Sequence, residues 1–549
     1  MPAEVNETAS ENILIPNVPL MDYIIPRLRE GLKTWPEDKE WIVDIPSGRS
    51  IKLSEVEPNA YKIASALTRL GIKHGEFVYF VTYELAQFFQ IQIALYLLGV
   101  PLRGCHPTDK IENFIKQINE VKAKFIIVDN ESIENVREAL KSIDFPVQLI
   151  SVGAEQIPET VHFCQLLKDD GSAFPNNVKI NAERDVAVVI NTSGSTGDPK
   201  GVVHTHKSIL AGVLNLRNRM GIEYSMMEFN TNYGVISNGM LLHNLCHGVT
   251  TYHFTKFVKE NLIENLLKYK PRGIIMYPHI AAWLAKQKEE LNLIRQLDFL
   301  RVMLVGGWVI DIPTADTLCE SLPNTHIAPI YGMSEAFAVA ITDMRDGIQE
   351  KINRIVNGGK EYIATGRPLP NVQVKIVDFK THEEVSPGVR GELLLKTPSA
   401  MAGYLSVLGK EHNRISFTKD NWLCTGDMAF VDNKGCIYIM ERLSMVYKHL
   451  IHFVSPSEVE SLLLEHPDVV EAGVIALPDP QVESMALGFV VKRPGSKCTE
   501  TELVKFVADK APFFKQLHKG VRFMDALPIG LGGKVDRMAL KRMAMEQIH

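Results

Sequence analysis

The chain has 549 residues, of which 46% are hydrophobic and 23% charged, enough apolar material for a large core and more than one domain. Its 65 acidic against 59 basic side chains leave a net charge of -6, which argues against a nucleic-acid partner, since such proteins carry a basic domain. The seven cysteines, Cys105, Cys164, Cys246, Cys319, Cys424, Cys436 and Cys498, are scattered and never spaced Cys-x-x-Cys, which argues against a disulfide framework or a zinc site and fits a reducing compartment.

The first twenty residues are polar and acidic, without the basic start and apolar core of a signal peptide. The run "FFQIQIALYLLGVPL" is broken by Gln90, Gln92, Gly99 and Pro101; it predicts a buried helix and no membrane span. Along the first 360 residues, apolar runs such as "FVYFVTY", "KFIIVD", "VQLISVG", "VAVVIN", "GIIMYP" and "LRVMLVGG" alternate with helical patterns such as "EPNAYKIASALTRLGI", "KIENFIKQINEVKA" and "HIAAWLAKQKEELNLI". That alternation predicts an α/β fold with largely parallel sheets. From about residue 365 the strands "VQVKIVD", "RGELLLKT" and "GCIYIME" are short and separated by turns, which predicts a β-rich subdomain. After "ERLSMVYK" a final α+β block follows: "SPSEVESLLLEH", "VVEAGVIAL", "LGFVVKR", "TETELVKFVADKA" and "VRFMDAL". The expected fold is a large amino-terminal α/β domain with a β-rich subdomain, then a small α+β carboxyl-terminal domain.

The run "NTSGSTGDPKGVVHTH" (191–206) stands apart. From Asn191 to Gly201 it holds three glycines, one proline and five hydroxyl or amide side chains, a composition excluded from regular structure. It follows the strand "VAVVI" and precedes the helical run "SILAGVLNL". A strand, a glycine-rich loop and a helix together point backbone N–H groups at an anion. The hydroxyls of Ser193, Ser195 and Thr196 and the charge of Lys200 suit a polyphosphate. A Gly/Ser loop of no special order would read as a flexible surface loop. This one is not the Walker loop either, because Gly201 follows the lysine where that pattern places Ser or Thr. His204 and His206 read as residues of the helix start and not as ligands.

The order Ser-Gly-Ser-Thr-Gly-x-Pro-Lys-Gly resembles the phosphate loop of the adenylate-forming superfamily, which includes acyl-CoA synthetases, 4-coumarate–CoA ligases and firefly luciferases. Companion segments follow in that superfamily's order. "IYGMSE" (330–335) is similar to its aromatic-Gly-x-Thr/Ser-Glu segment, "WLCTGD" (422–427) carries its Thr-Gly-Asp, and "PIGLGGKVDR" (528–537) is similar to its carboxyl-terminal lysine motif. The segments "RGELLLK" and "MAGYL" also resemble family segments and read as structural.

The resemblance implies roles residue by residue. Thr192, Ser193, Gly194, Ser195, Thr196, Gly197 and Lys200 would hold ATP, with Gly307, Tyr331, Gly332 and Ser334 near the adenine and phosphates. Asp427 and Arg442 would contact the ribose. Glu335 and Thr196 would bind Mg²⁺. Lys534 would stabilise charge at the α-phosphate, with Lys448 and Glu335 as further catalytic candidates. Tyr233, Gly234 and Trp308 would line the acid pocket, and the tryptophan stands where relatives carry a smaller residue. The domains implied are 1–440, which binds the nucleotide, and a mobile 441–549, hinged near 441–444.

Two departures qualify the match. The segment before the tyrosine reads Pro329-Ile330 where relatives often have Gln-Gly. In "ERLSMVYKHLI", Arg442 and Lys448 are kept, but Ser444 replaces the hinge lysine and Ile451 a glycine. That glycine lies where a pantetheine tunnel forms, and a β-branched side chain there adds bulk. The activity implied is an ATP-dependent acid–CoA ligase acting on a fatty or aromatic carboxylic acid, with ATP, Mg²⁺ and coenzyme A. The alternatives are adenylation without efficient thioester transfer, as in luciferases, and a non-catalytic nucleotide- or acyl-binding relative. Small molecules are the expected partners, and the sequence fixes no oligomeric state. The cytoplasm is the expected compartment by elimination. The end "EQIH" is not the Ser-Lys-Leu address, so a peroxisomal alternative needs another signal.

Overall fold

A computed structural model describes residues 12–192, 200–220, 225–229, 234–287, 296–342, 352–357, 360–405, 416–450, 452–528 and 535–546. The chain divides into two compact units. The first comprises residues 1–353, 365–374 and 395–423; the second comprises 354–364, 375–394 and 424–549.

The first unit is built on two large sheets. One has eight strands in the order Gly403–Tyr404, Gly201–Thr205, Val186–Asn191, Leu102–Gly104, Val78–Val81, Phe125–Val128, Gln148–Ser151 and Val161–His162. Its pairs from Val186–Asn191 to Val161–His162 run parallel. Such strands are covered on both faces and read as continuous apolar runs. Phe125–Val128 is buried at all four positions.

The other sheet has nine strands. At one end the parallel run Gly273–Met276, Val302–Val305, His326–Met333 turns into an antiparallel hairpin with Phe337–Ile341. Helix Ala86–Leu97 is buried around its circumference, as the broken apolar run predicted. Its glutamines are buried with partners: Gln90 accepts from Asn59 at 2.9 Å and Gln92 donates to Asn238 at 2.5 Å. Phe88, Phe89, Ile91 and Leu95 join the main core, each worth roughly 1.5–3 kcal/mol on burial.

The glycine-rich run departs from the strand–loop–helix reading. Between loop and helix lies a strand, Gly201–Thr205, buried at all five positions and antiparallel to Val186–Asn191. The helix, His206–Met220, starts only after it. The loop therefore closes a hairpin and does not sit at a helix N-terminus. "GVVHT" is a short apolar β-branched run, and pairing on both edges outweighs the helical periodicity that follows. His204 accordingly belongs to this strand, whereas His206 opens the helix.

In the second unit a four-stranded sheet follows the order Gln373–Val377, Gly391–Lys396, Leu423–Val431, Ile437–Arg442. A five-stranded sheet carries Tyr447–His449, His452–Val454, Val469–Asp479, Glu483–Lys492 and Val521–Phe523. Helices Pro456–Leu464 and Glu500–Lys510 pack on it through Val459, Leu463, Leu503 and Val507, against Val474, Val490 and Val521. Thr499 caps the second helix by accepting from Glu502 N at 3.2 Å. No helix among the described residues is long and apolar enough to cross a membrane.

Candidate active site

In the first unit the hairpin 186–205 sets out the first group of side chains. Its neck is closed reciprocally. Thr192 N donates to Lys200 O at 2.9 Å, and Lys200 N donates to Thr192 Oγ1 at 3.3 Å. Lys200 is exposed. Ser193, Gly194, Ser195, Thr196 and Gly197 lie outside the described residues.

A second hairpin carries the tyrosine motif. Tyr331 and Gly332 end the His326–Met333 strand, Ser334 and Glu335 form the turn, and Phe337 returns with φ +62°. The ideal Cβ of Gly332 would lie 2.6 Å from Phe337 O, so only glycine fits beneath the returning strand. Tyr331 is buried, at 9% exposure.

Two side chains that the sequence reading did not assign to the site join these hairpins. Tyr404 sits on the short strand Gly403–Tyr404, which pairs antiparallel with Val202 and Val203. The Lys200 ammonium lies 5.2 Å from its ring centroid, and its hydroxyl donates to Glu335 Oε1 at 2.8 Å. A phenol that donates to a carboxylate becomes more electron-rich, which strengthens its ring's hold on a cation. The backbone reinforces the arrangement, since Met401 N donates to Glu335 O at 2.8 Å. Lys200, Tyr404 and Glu335 thus form a continuous chain of contacts.

His204 is the other. It is buried on the Gly201–Thr205 strand, and its Nε2 lies 2.7 Å from Ser334 O. The carbonyl can only accept, so Nε2 carries the proton, and Nδ1 faces Ser208 Oγ at 3.2 Å. Burial holds the imidazole down to about 4, with the Ser334 carbonyl partly opposing. A neutral histidine therefore pins the turn bearing Ser334 and Glu335 to the glycine-rich hairpin. "MAGYL" reads as structural in the sequence; its tyrosine lies at the centre of this group.

Gly307 and Trp308 follow the Val302–Val305 strand. Gly307 has φ +86°, and its ideal Cβ would lie 2.9 Å from the half-buried Tyr277 ring. Trp308 is half-buried. Gly234 is the N-cap of helix Val235–His247. Tyr233 lies outside the described residues.

The second unit holds Asp427 and Arg442 directly opposite one another across antiparallel strands. Arg442 Nε meets Asp427 Oδ1 at 3.0 Å, and Arg442 Nη1 donates to Thr425 O at 3.1 Å. Thr425 Oγ1 accepts from Asp427 N at 3.0 Å and donates to Leu393 O at 2.7 Å. Asp427 is 2% exposed, so its carboxylate is fixed before any ligand arrives. Gly426 N donates to Glu392 Oε1 at 3.2 Å. Burial raises the Glu392 carboxyl, partly opposed by that bond. After Arg442 the chain makes a turn in which Met445 N and Val446 N both donate to Arg442 O. Lys448 follows, ion-paired with Glu483. Ile451 and Lys534 lie outside the described residues.

Residues 28–405 match the family model described as AMP-binding enzyme, and residues 458–534 match the AMP-binding enzyme C-terminal domain. The chain is 28% identical to 4-coumarate–CoA ligase 1 of Petroselinum crispum, over 92% of this chain and 91% of that one. It is 25% identical to the peroxisomal OPC-8:0-CoA ligase 1 of Arabidopsis thaliana, over 91% and 90%. Among solved structures it is similar to ATP-bound MatB from Rhodopseudomonas palustris, with a TM-score of 0.81 at 20% identity, covering 95% of this chain and 98% of that one.

Proposed function

The chain belongs to the AMP-binding enzyme family, and from that premise we propose that it is an ATP-dependent acid–CoA ligase for a fatty or aromatic carboxylic acid. A carboxylate oxygen of the acid attacks the α-phosphorus of ATP. The bond to the β-phosphate oxygen breaks, and pyrophosphate leaves. The thiolate of CoA then attacks the acyl carbon, and AMP leaves with the electron pair of the mixed anhydride. No protein nucleophile is required, so positioning and electrostatics carry the rate.

The contact chain Lys200–Tyr404–Glu335 is the observation that carries this reading. It sets a cation for the leaving pyrophosphate beside a carboxylate with the hard oxygen that Mg²⁺ prefers. When bound, Mg²⁺ neutralises charge that develops on the phosphates; Glu335 and Thr196 are the residues proposed to hold it. Ser193, Gly194, Ser195, Thr196 and Gly197 cradle the phosphates, with Thr192 at their neck. Tyr331, Gly332, Ser334 and Gly307 flank the nucleotide. Asp427 accepts the ribose hydroxyls beside Arg442, and Lys534 stabilises the α-phosphate. Lys448 acts on the thioester side, in a 441–549 domain that turns about 441–444. Tyr233, Gly234 and Trp308 shape the acid pocket, with the indole favouring a slim acyl chain. The proposed compartment is the cytoplasm. The alternative is the peroxisome, where the name of the Arabidopsis relative places that protein.

Paired assays on a panel of fatty and cinnamate-like acids test the reading, one following pyrophosphate release and the other acyl-CoA formation. Both signals are expected, and Lys534→Ala is expected to cut pyrophosphate release by at least about 100-fold. Pyrophosphate without thioester favours the second reading, adenylation alone, which Ser444 and Ile451 motivate. Neither signal with any acid, and no ATP binding by calorimetry, sinks both.

A further inference from the structure

Beneath the glycine-rich hairpin lies a buried polar cluster that the reading above leaves unused. Its centre is Arg103, on the Leu102–Gly104 strand and only 2% exposed. A buried arginine needs partners for its five N–H groups. Nη2 has one, Glu120 Oε2, at 2.7 Å. Nε and Nη1 are buried and have none among the described residues. Native proteins rarely leave such donors orphaned, and those that exist ask for an explanation.

The position of the guanidinium supplies one. Arg103 is registered against Val189, and Val189 against Val203, in neighbouring strands. An ideal Cβ on Gly201 would lie 2.6 Å from Arg103 Nη1. The unpartnered edge therefore faces the α-carbon of the residue that follows Lys200. On the opposite flank of the neck, Asn191 Nδ2 donates to Gly104 O at 2.8 Å and to Gln117 Oε1 at 3.1 Å. Asn191 Oδ1 is buried and also lacks a partner among the described residues. Tyr79 completes the cluster, donating to Gln117 Oε1 at 3.2 Å. The cluster reaches both residues that bracket the hairpin neck, Asn191 and Gly201, which are registered opposite one another. Glu120 engages Nη2, whereas Nη1 is the nitrogen nearest Gly201.

We propose that Arg103 is a positioning residue for polyphosphate binding. Its guanidinium braces the hairpin neck at Gly201 and Asn191 and so holds Lys200 ready for the β- and γ-phosphates of ATP. This rests on reading the loop as a phosphate loop. It also accounts for Gly201, since any side chain there drives into the guanidinium.

The test is calorimetric binding of ATP and of AMP to the full chain, because AMP lacks the phosphates in question. Arg103→Met keeps the length and removes the donors. It is expected to weaken ATP about ten-fold while AMP changes less than about two-fold, with Arg103→Lys in between. Gly201→Ala, which displaces the guanidinium without removing it, is expected to give the same selective loss and serves if Arg103→Met does not fold. Equal ATP affinity in wild type and Arg103→Met overturns the proposal. So does a parallel loss of ATP and AMP, which marks Arg103 as a structural tie between the sheet and helix Ile111–Val121. If the wild-type chain binds neither nucleotide, the phosphate-loop reading itself falls.

Discussion

At the scale of single residues, the two side chains that link the hairpins make separable contributions. Tyr404 offers a ring to Lys200 and a hydroxyl to Glu335. Tyr404→Phe removes only the hydroxyl. Steady-state pyrophosphate release is expected to show KM for ATP rising about 3- to 10-fold, as one charge-assisted hydrogen bond is lost. Tyr404→Ala removes both and is expected to cost more; equal effects of the two variants would put the whole role in the hydroxyl. His204 is read through pH. Burial holds His204, His206 and His253 down to about 4, whereas the unfolded chain titrates near 6.5. Between those values the unfolded state binds more protons, so stability is fully present above 6.5 and is lost as pH falls toward 4. In urea unfolding, His204→Gln is expected to lose about 1 kcal/mol less than wild type between pH 7.5 and 5.5. An identical pH dependence would show that His204 is not the neutral donor assigned here. Lys200 and Glu335 were visible in the sequence because their motifs are local. Tyr404 and His204 were not, because their roles depend on register: Tyr404 reaches the site only through its pairing with Val202.

At the scale of elements, the sequence showed most strands and helices but not the strand Gly201–Thr205, whose five residues sit between a loop and a long helical pattern. Its strand character comes from two neighbours, one of them two hundred residues downstream, which no local pattern reveals. The same limit hides the tie that helix Pro456–Leu464 makes within the second unit. Glu458, in its first turn and 6% exposed, accepts from Tyr362 Oη at 3.0 Å and Arg390 Nη1 at 3.0 Å, and meets Lys515 Nζ at 3.1 Å. Burial opposes ionisation of this carboxyl, but Lys515 and Arg390 outweigh it and leave it below its usual range. Removing the charge leaves two cations facing a neutral group. Glu458→Gln is expected to cost about 2 kcal/mol at pH 7 in chemical denaturation. The loss should shrink as pH drops below about 4.5, where the unfolded carboxyl takes up its proton and wild type forfeits the same stability. A pH-independent difference would mean that shape, not charge, is what Glu458 supplies.

At the scale of the whole molecule, the proposed reaction has two halves, and the residues proposed for each can be tested apart. Lys200, Glu335, Asp427 and Arg442, all proposed to act on the nucleotide, stand in their expected motifs. Asp427 and Arg442 are already paired across strands before any ligand binds. Two of the departures that the family resemblance implies, Ser444 and Ile451, fall in the segment that follows. Ser444 occupies the turn closed onto Arg442 O, and a serine there cannot supply the charge that a lysine would. Ile451 places a branched side chain where the family resemblance implies glycine. If this segment serves the thioester half alone, restoring it should leave adenylation untouched. Rapid-quench measurements on Ser444→Lys combined with Ile451→Gly are expected to show acyl-CoA formation rising by about 5-fold or more. Pyrophosphate release in the absence of CoA should stay within about two-fold of wild type, because the interactions gained are made only after the adenylate exists. A rise in both rates would mean that the segment also governs the first half. No change in either would mean that neither Ser444 nor Ile451 limits the thioester half.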